Sequence, residues 1–206
     1  MACALARALA RAPAWALACA LACSPVAAQD TADLPVTVPD QEAGALPGAL
    51  PRSLILAWMK DNDAEHPAFL AVIDADPNSP GYGTLLTTTP AGEALQDAHH
   101  THHSLPTNGR LFANAFRDGK TYIFDTRIPQ LPVLAGAFER LEGYSYPHSF
   151  VELDNGNVLV TFQTSGENAD QAGGLVELTP EGDVVRASSA ADSSVGFVRP
   201  YSLEVF

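Results

Sequence analysis

His103-Ser104-Leu105-Pro106-Thr107-Asn108-Gly109 and, 45 residues on, His148-Ser149-Phe150 leading into Asp154-Asn155-Gly156-Asn157 are the stretches that decide the fold. Each sets a histidine and a serine ahead of an apolar residue and then an Asn-Gly turn. Asn-Gly is a strong hairpin signal because both residues accept the positive φ of a tight turn. After the first stretch come apolar runs at residues 111–116, 121–124 and 133–138. After the second come runs at 158–162, 175–178 and 184–187, with 150–153 before its turn. Upstream, runs at 54–59, 69–73 and 84–89 read as the second to fourth strands of a preceding unit. Tyr201-Ser202-Leu203 reads as the opening of a following one. No stretch sustains a 3.6-residue apolar period, so the class is all-β.

Four short antiparallel strands in each 40–50 residues describe a β-propeller blade. A ring of such blades needs about four or more to close. The expected fold is therefore an incomplete β-propeller of about three four-stranded antiparallel blades over residues 53–206, read as the N-terminal piece of a longer protein. A sandwich of about 12 strands is the competing arrangement. Like residues at like places in successive units favour the propeller. Uncovered blade faces and open strand edges at the ends of such a piece favour self-association.

Outside the repeat, residues 1–28 have the anatomy of a secretory signal peptide. Arg7 and Arg11 precede an apolar run at 14–22, and Val26-Ala27-Ala28 supplies small residues for cleavage before Gln29. That run is too short to span a bilayer. The expected location is periplasmic or secreted. Residues 29–52 are rich in Pro, Ala, Gly and acidic residues and read as an extended linker. Cys3, Cys19 and Cys23 all lie in the leader. The remaining chain has no thiol for a disulfide, a thiolate metal site or a nucleophile. Ala20-Leu21-Ala22-Cys23 loosely resembles a lipoprotein processing site. The chain carries 24 acidic against 11 basic residues, a formal charge of −13. This argues against nucleic acid as a partner, because that binding rests on Lys and Arg neutralising phosphates. No other segment is apolar for long enough to span a membrane.

Chemistry gathers in the histidines. His99, His100, His102 and His103 surround Thr101, and His148 heads the next unit. Innermost strands line a propeller's axis, so His103 and His148, at equivalent places in adjacent blades, are expected to share one axial ion. Convergent imidazoles suit Cu, Zn or Fe. In an extended strand His99 and His103 share one face, and His100 and His102 the other. A run of histidines on an exposed loop is equally the pattern of a solvated patch. His66, before Pro67, reads as a surface residue. Asp61, Asp63, Glu65, Asp74 and Asp76 lack the spacing of a calcium loop and read as a solvated acidic face. There is no Gly-x-Ser-x-Gly elbow and no phosphate-binding glycine loop.

Residues 69–82, an apolar run entering Asp74-Ala75-Asp76-Pro77-Asn78-Ser79-Pro80-Gly81-Tyr82, resemble a segment of the selenium-binding protein / methanethiol oxidase family. Asp97-Ala98-His99-His100-Thr101-His102-His103-Ser104 is similar to its acidic-x-His-His segment. His148, Gly156 and Gly173-Gly174-Leu175-Val176 resemble its next blade. The resemblance implies a seven-bladed propeller and, in secreted bacterial members, a copper-dependent oxidase of small thiols. That reaction takes methanethiol, O₂ and water to formaldehyde, hydrogen sulfide and hydrogen peroxide. It implies copper ligands at His102 or His103 and at His148, and a small thiol as substrate. The Cys-x-x-Cys of some members is absent, which argues against selenium bound through thiols. A non-catalytic periplasmic propeller that binds a protein or small ligand is the alternative.

Overall fold

The computed structural model describes residues 53–62 and 65–206; the leader, the linker, Cys23 and Asp63 lie outside them. Ten strands and no helix occur among the described residues: β1 (Leu54–Met59), β2 (Phe69–Asp74), β3 (Leu85–Pro90), β4 (Arg110–Ala115), β5 (Lys120–Asp125), β6 (Val133–Phe138), β7 (Tyr144–Glu152), β8 (Val158–Ser165), β9 (Gln171–Leu178) and β10 (Val184–Ser189). They form three antiparallel sheets in the orders β1-β2-β3, β4-β5-β6 and β10-β9-β8-β7. Every neighbour in a sheet is also a neighbour in sequence, so each is a simple meander with no Greek-key crossing. This is the architecture of consecutive propeller blades.

The sheets stack through two apolar layers, and the middle sheet serves both. Side chains alternate across a strand. Leu111, Ala113 and Ala115 of β4, with Tyr122 and Phe124 of β5, pack with Leu70 of β2 and the half-buried Leu56 and Trp58 of β1. Phe112 of β4 and Ile123 of β5 face the other way and pack with Phe150, Val158, Val160, Phe162, Val176 and Leu178 of the third sheet. A strand buried on both faces must be apolar nearly throughout, as β4 and β5 are. The third sheet also brings backbones close together. A methyl group on Gly173 would lie 2.0 Å from the Phe162 carbonyl oxygen, which reserves that position for glycine.

Three expectations need correction. Only the third sheet has four strands, because the innermost place of the middle sheet is filled by a segment outside any strand. Thr101 makes a single bridge to Ala113 there. Residues 99–103 hold no apolar side chain to bury, so packing does not enforce a ladder. The repeat also steps by 48 residues from Arg110 to Val158, the starts of β4 and β8, which makes His100 rather than His103 the counterpart of His148. In addition β7 begins at Tyr144, ahead of the expected start near His148. It tolerates Pro147 because the register slips between Pro147 and Phe150 and because β7 is an edge strand, where a missing N–H is harmless. Tyr146, just before that slip, has a φ of 57°.

Candidate metal centre

Three imidazoles converge where the middle and third sheets meet. His99 and His100 come from the segment before β4, and His148 comes from the slipped part of β7. One ligand nitrogen from each lies within 4.8 Å of the other two. The Nε2 atoms of His99 and His148 are 3.1 Å apart. The His148 ring is buried, His100 half-buried and His99 exposed. Phe116 lies against both His99 and His148, with ring centroids 5.4 and 5.3 Å away.

Backbone groups position the cluster. The Tyr201 carbonyl lies 2.8 Å from His148 Nδ1, which therefore donates to it. That bond leaves the Nε2 lone pair of neutral His148 directed at His99. The Tyr201 ring covers the imidazole, at a centroid distance of 3.9 Å. Burial lowers the His148 pKa to about 4, with a smaller contribution in the same direction from His100 and His99; the Tyr201 carbonyl opposes it. Burial, helped by His99 and His103, also lowers the His100 pKa. These two rings are thus held neutral, the form that binds metals. Beside them is a pocket of about 140 Å³, lined by His100, Thr101, His103, His148, Ser149, Tyr201 and Ser202.

The donor set fits a transition metal. Imidazole nitrogens bind at about 2.0–2.1 Å, so two nitrogens on one ion lie roughly 3–4 Å apart. The 3.1 Å gap between His99 and His148 falls in that range. Three imidazole nitrogens suit copper, zinc or iron and lack the oxygens that calcium or magnesium require.

His102 and His103 stand outside this group. His102 is buried, stacked on Phe112 with ring centroids 5.6 Å apart. Its Nδ1 accepts a hydrogen bond from the Phe112 N–H at 3.2 Å, and its Nε2 is buried without a partner. Its pKa falls to about 4, chiefly through burial. His103 is exposed on the pocket wall. The alternation expected of an extended strand does not hold, since the rings of His99 and His100 lie only 4.1 Å apart. His99 and His100 both bond to the main chain of one β4 residue, Asn114, and two residues set against one turn successive side chains the same way. His66 is an exposed residue bonded to Asp61. Asp74 is buried and accepts from the Asp76 N–H and the Ser79 hydroxyl, so that acidic motif builds a turn.

Sequence reasoning missed Asn114, Phe116 and Tyr201. The signal for Asn114 was available: a single amide in the middle of an apolar strand buried on both faces.

The fold is similar to that of a hypothetical selenium-binding protein from Sulfolobus tokodaii. The TM-score is 0.54 at 20% identity, covering 67% of this chain and 34% of that one. A protein of unknown function from Bacteroides caccae is similar at a TM-score of 0.42 and 19% identity, covering 68% of this chain and 44% of that one. A catalytically inactive virginiamycin B lyase from Staphylococcus aureus with quinupristin has the same TM-score at 11% identity, covering 73% and 49%. No protein-family model matches the chain, and no curated protein matches it. The matched part of the chain spans about a third of the length of the Sulfolobus protein, and the likeness is one of fold alone.

Proposed function

We propose that His99, His100 and His148 hold a copper ion, and that the whole protein is a secreted oxidase of small thiols of the methanethiol oxidase kind. The observation that carries this reading is the convergence of three imidazole nitrogens within 4.8 Å beside a small pocket. Copper, when bound, supplies the electron-transfer and O₂ chemistry that imidazole lacks. The chain's own residues do the rest. Tyr201 fixes the ring orientation of His148 through its carbonyl. Burial keeps His148 unprotonated well below neutral pH. A pocket of about 140 Å³ admits a molecule far smaller than the ligands of ordinary binding clefts, which occupy about 300–1,000 Å³, and a one-carbon thiol meets that limit.

A second reading has its own support. A proton on His99 Nε2 satisfies His148 Nε2 directly at 3.1 Å, so the cluster is also stable as a hydrogen-bonded pair in a non-catalytic, ligand-binding propeller. Copper titration of the full chain, followed by electron paramagnetic resonance, separates the two. The oxidase reading expects nitrogen hyperfine structure, about 100-fold weaker binding in His99→Ala and His148→Ala, and no change in His66→Ala. It also expects copper-dependent O₂ uptake with methanethiol. Binding that survives both cluster variants, or that falls equally in His66→Ala, removes the site.

A further inference from the structure

We propose that Asn114 is the positioning residue of the histidine cluster: its side-chain amide ties the His99–His100 segment to the strand that carries His148. For its metal readout this rests on the copper reading above; for its metal-free readout it does not.

Asn114 is fully buried on β4. Its neighbours Ala113 and Ala115 belong to the layer against the first sheet, so alternation turns its side chain toward the third. An unbonded amide there would be destabilising, and an apolar residue would be the ordinary occupant. The amide is bonded at both ends. Its Oδ1 accepts from the His100 N–H at 2.6 Å. Its Nδ2 donates to the Pro147 carbonyl at 2.7 Å, with a longer approach of 3.5 Å to the His148 carbonyl. A flipped amide would set acceptor against acceptor and donor against donor, so the network defines its orientation. The main chain of the same residue completes the clamp. Its N–H donates to the His100 carbonyl at 2.8 Å, and its carbonyl accepts from the His99 N–H at 3.0 Å and from Trp58 Nε1–H at 2.9 Å.

Among the described residues, no backbone hydrogen bond joins the 99–102 segment to β7. Away from the Thr107 and Asn108 bonds to Glu152 and Gly156, the second and third blades meet by side-chain packing, which leaves sliding and rotation soft near the histidines. Metal ligands need directional definition, and outer groups that orient them commonly change affinity 10–100-fold. One amide contacting the residue at His100 and the residue before His148 sets that spacing.

The experiment compares Asn114→Ala and Asn114→Asp with Val160→Ala, a buried change in the same apolar layer as Phe112. Asn114→Asp preserves volume and the acceptor but sets a carboxylate oxygen against the Pro147 carbonyl, so it answers the question if the alanine variant does not fold. Two readouts are taken on the full chain: the nuclear Overhauser effect between the His99 and His148 rings without metal, and the Cu²⁺ dissociation constant. Both Asn114 variants should lose the ring-to-ring effect and bind copper 10–100-fold more weakly. Val160→Ala should keep the effect and stay within twofold in affinity although it melts lower. The inference is overturned if the Asn114 variants retain the ring contact, or if Val160→Ala loses it equally. If the wild-type protein binds no copper, or binds it without His99 and His148, the copper reading fails. The ring contact then still decides for or against Asn114.

Discussion

The inner edges of the second and third blades occupy the same place in the repeat and are built differently. In the third blade β7 runs for nine residues and pairs with β8 from Tyr144 to Glu152. In the second blade the same place is taken by a segment with one bridge, Thr101 to Ala113. Its other attachments are two main-chain bonds of His99 and His100 to Asn114, the buried Asn114 amide and the buried ring of His102. A ladder repeats its bonds along the chain and survives losing one. A segment held by a few single bonds depends on each of them, and in exchange it can direct His99 and His100 at a common point.

The largest effect expected from this contrast lies in the third blade. Gly173→Ala places a methyl group 2.0 Å from the Phe162 carbonyl, so β8 and β9 must separate. A loss above about 3 kcal/mol is expected in urea denaturation, enough to prevent folding of a marginal domain. Gly136→Ala on β6 meets nothing within 4 Å and should stay within about 0.5 kcal/mol of wild type. Equal sensitivity at the two positions would break the description of the third blade as the tightly built one.

Acid should loosen the second blade next. Burial lowers the His102 pKa to about 4, against an ordinary value of 6.5. The unfolded chain takes up a proton at His102 as pH falls through 6.5, and the folded chain resists until about 4. Stability is therefore greatest above pH 6.5 and declines toward pH 4, by on the order of 3 kcal/mol from this residue. His148 acts in the same direction. Melting curves between pH 7.5 and 4 should show this slope, and His102→Leu should flatten it. At pH 7 the same variant should be less stable by about 1–3 kcal/mol, since the Phe112 N–H loses its buried acceptor. An unchanged slope would mean that His102 does not couple that segment to pH.

Glu152 joins the two regions. Its carboxylate accepts from the Thr107 and Asn108 N–H groups and the Thr107 hydroxyl, linking β7 to the turn before β4. These bonds hold its pKa low against the opposing effect of burial. Glu152→Ala should cost about 1–2 kcal/mol, with faster amide exchange at Thr107 and Asn108 than in β8. The smallest measurable loss should come from Thr161→Val. Its hydroxyl accepts from the Ser149 N–H where β7 slips register, and a loss of about 1 kcal/mol localised to β7 is expected by hydrogen exchange.

Much of the architecture was legible along the chain. Alternating apolar runs bounded by Gly, Asn and Asp turns place strands to within a few residues, because both signals depend on near neighbours. The stretch from Tyr144 to Pro147 was not legible as strand. Pro147 argues against a central strand, and nothing local reveals that β7 lies at an edge. Of the five histidines expected at a metal, His99, His100 and His148 form the cluster, while His102 turns into the core and His103 into solvent. Strand alternation separates His99 from His100, and that reasoning failed because both residues bond to the main chain of one residue, Asn114, which sets two residues against one.

From sequence alone came the all-β class, the repeat of blades, the acidic composition with no thiol after Cys23, and the concentration of imidazoles near one end of each unit. These follow from composition and from spacing along the chain, where turn chemistry and side-chain period act over only a few residues. Tertiary structure decided which imidazoles meet, which of them are held neutral, and that a buried amide 14 residues from His100 and 33 from Pro147 spans the gap between them. Those outcomes depend on how two blades stack, and so on contacts between residues whose separation in the chain carries no local signal.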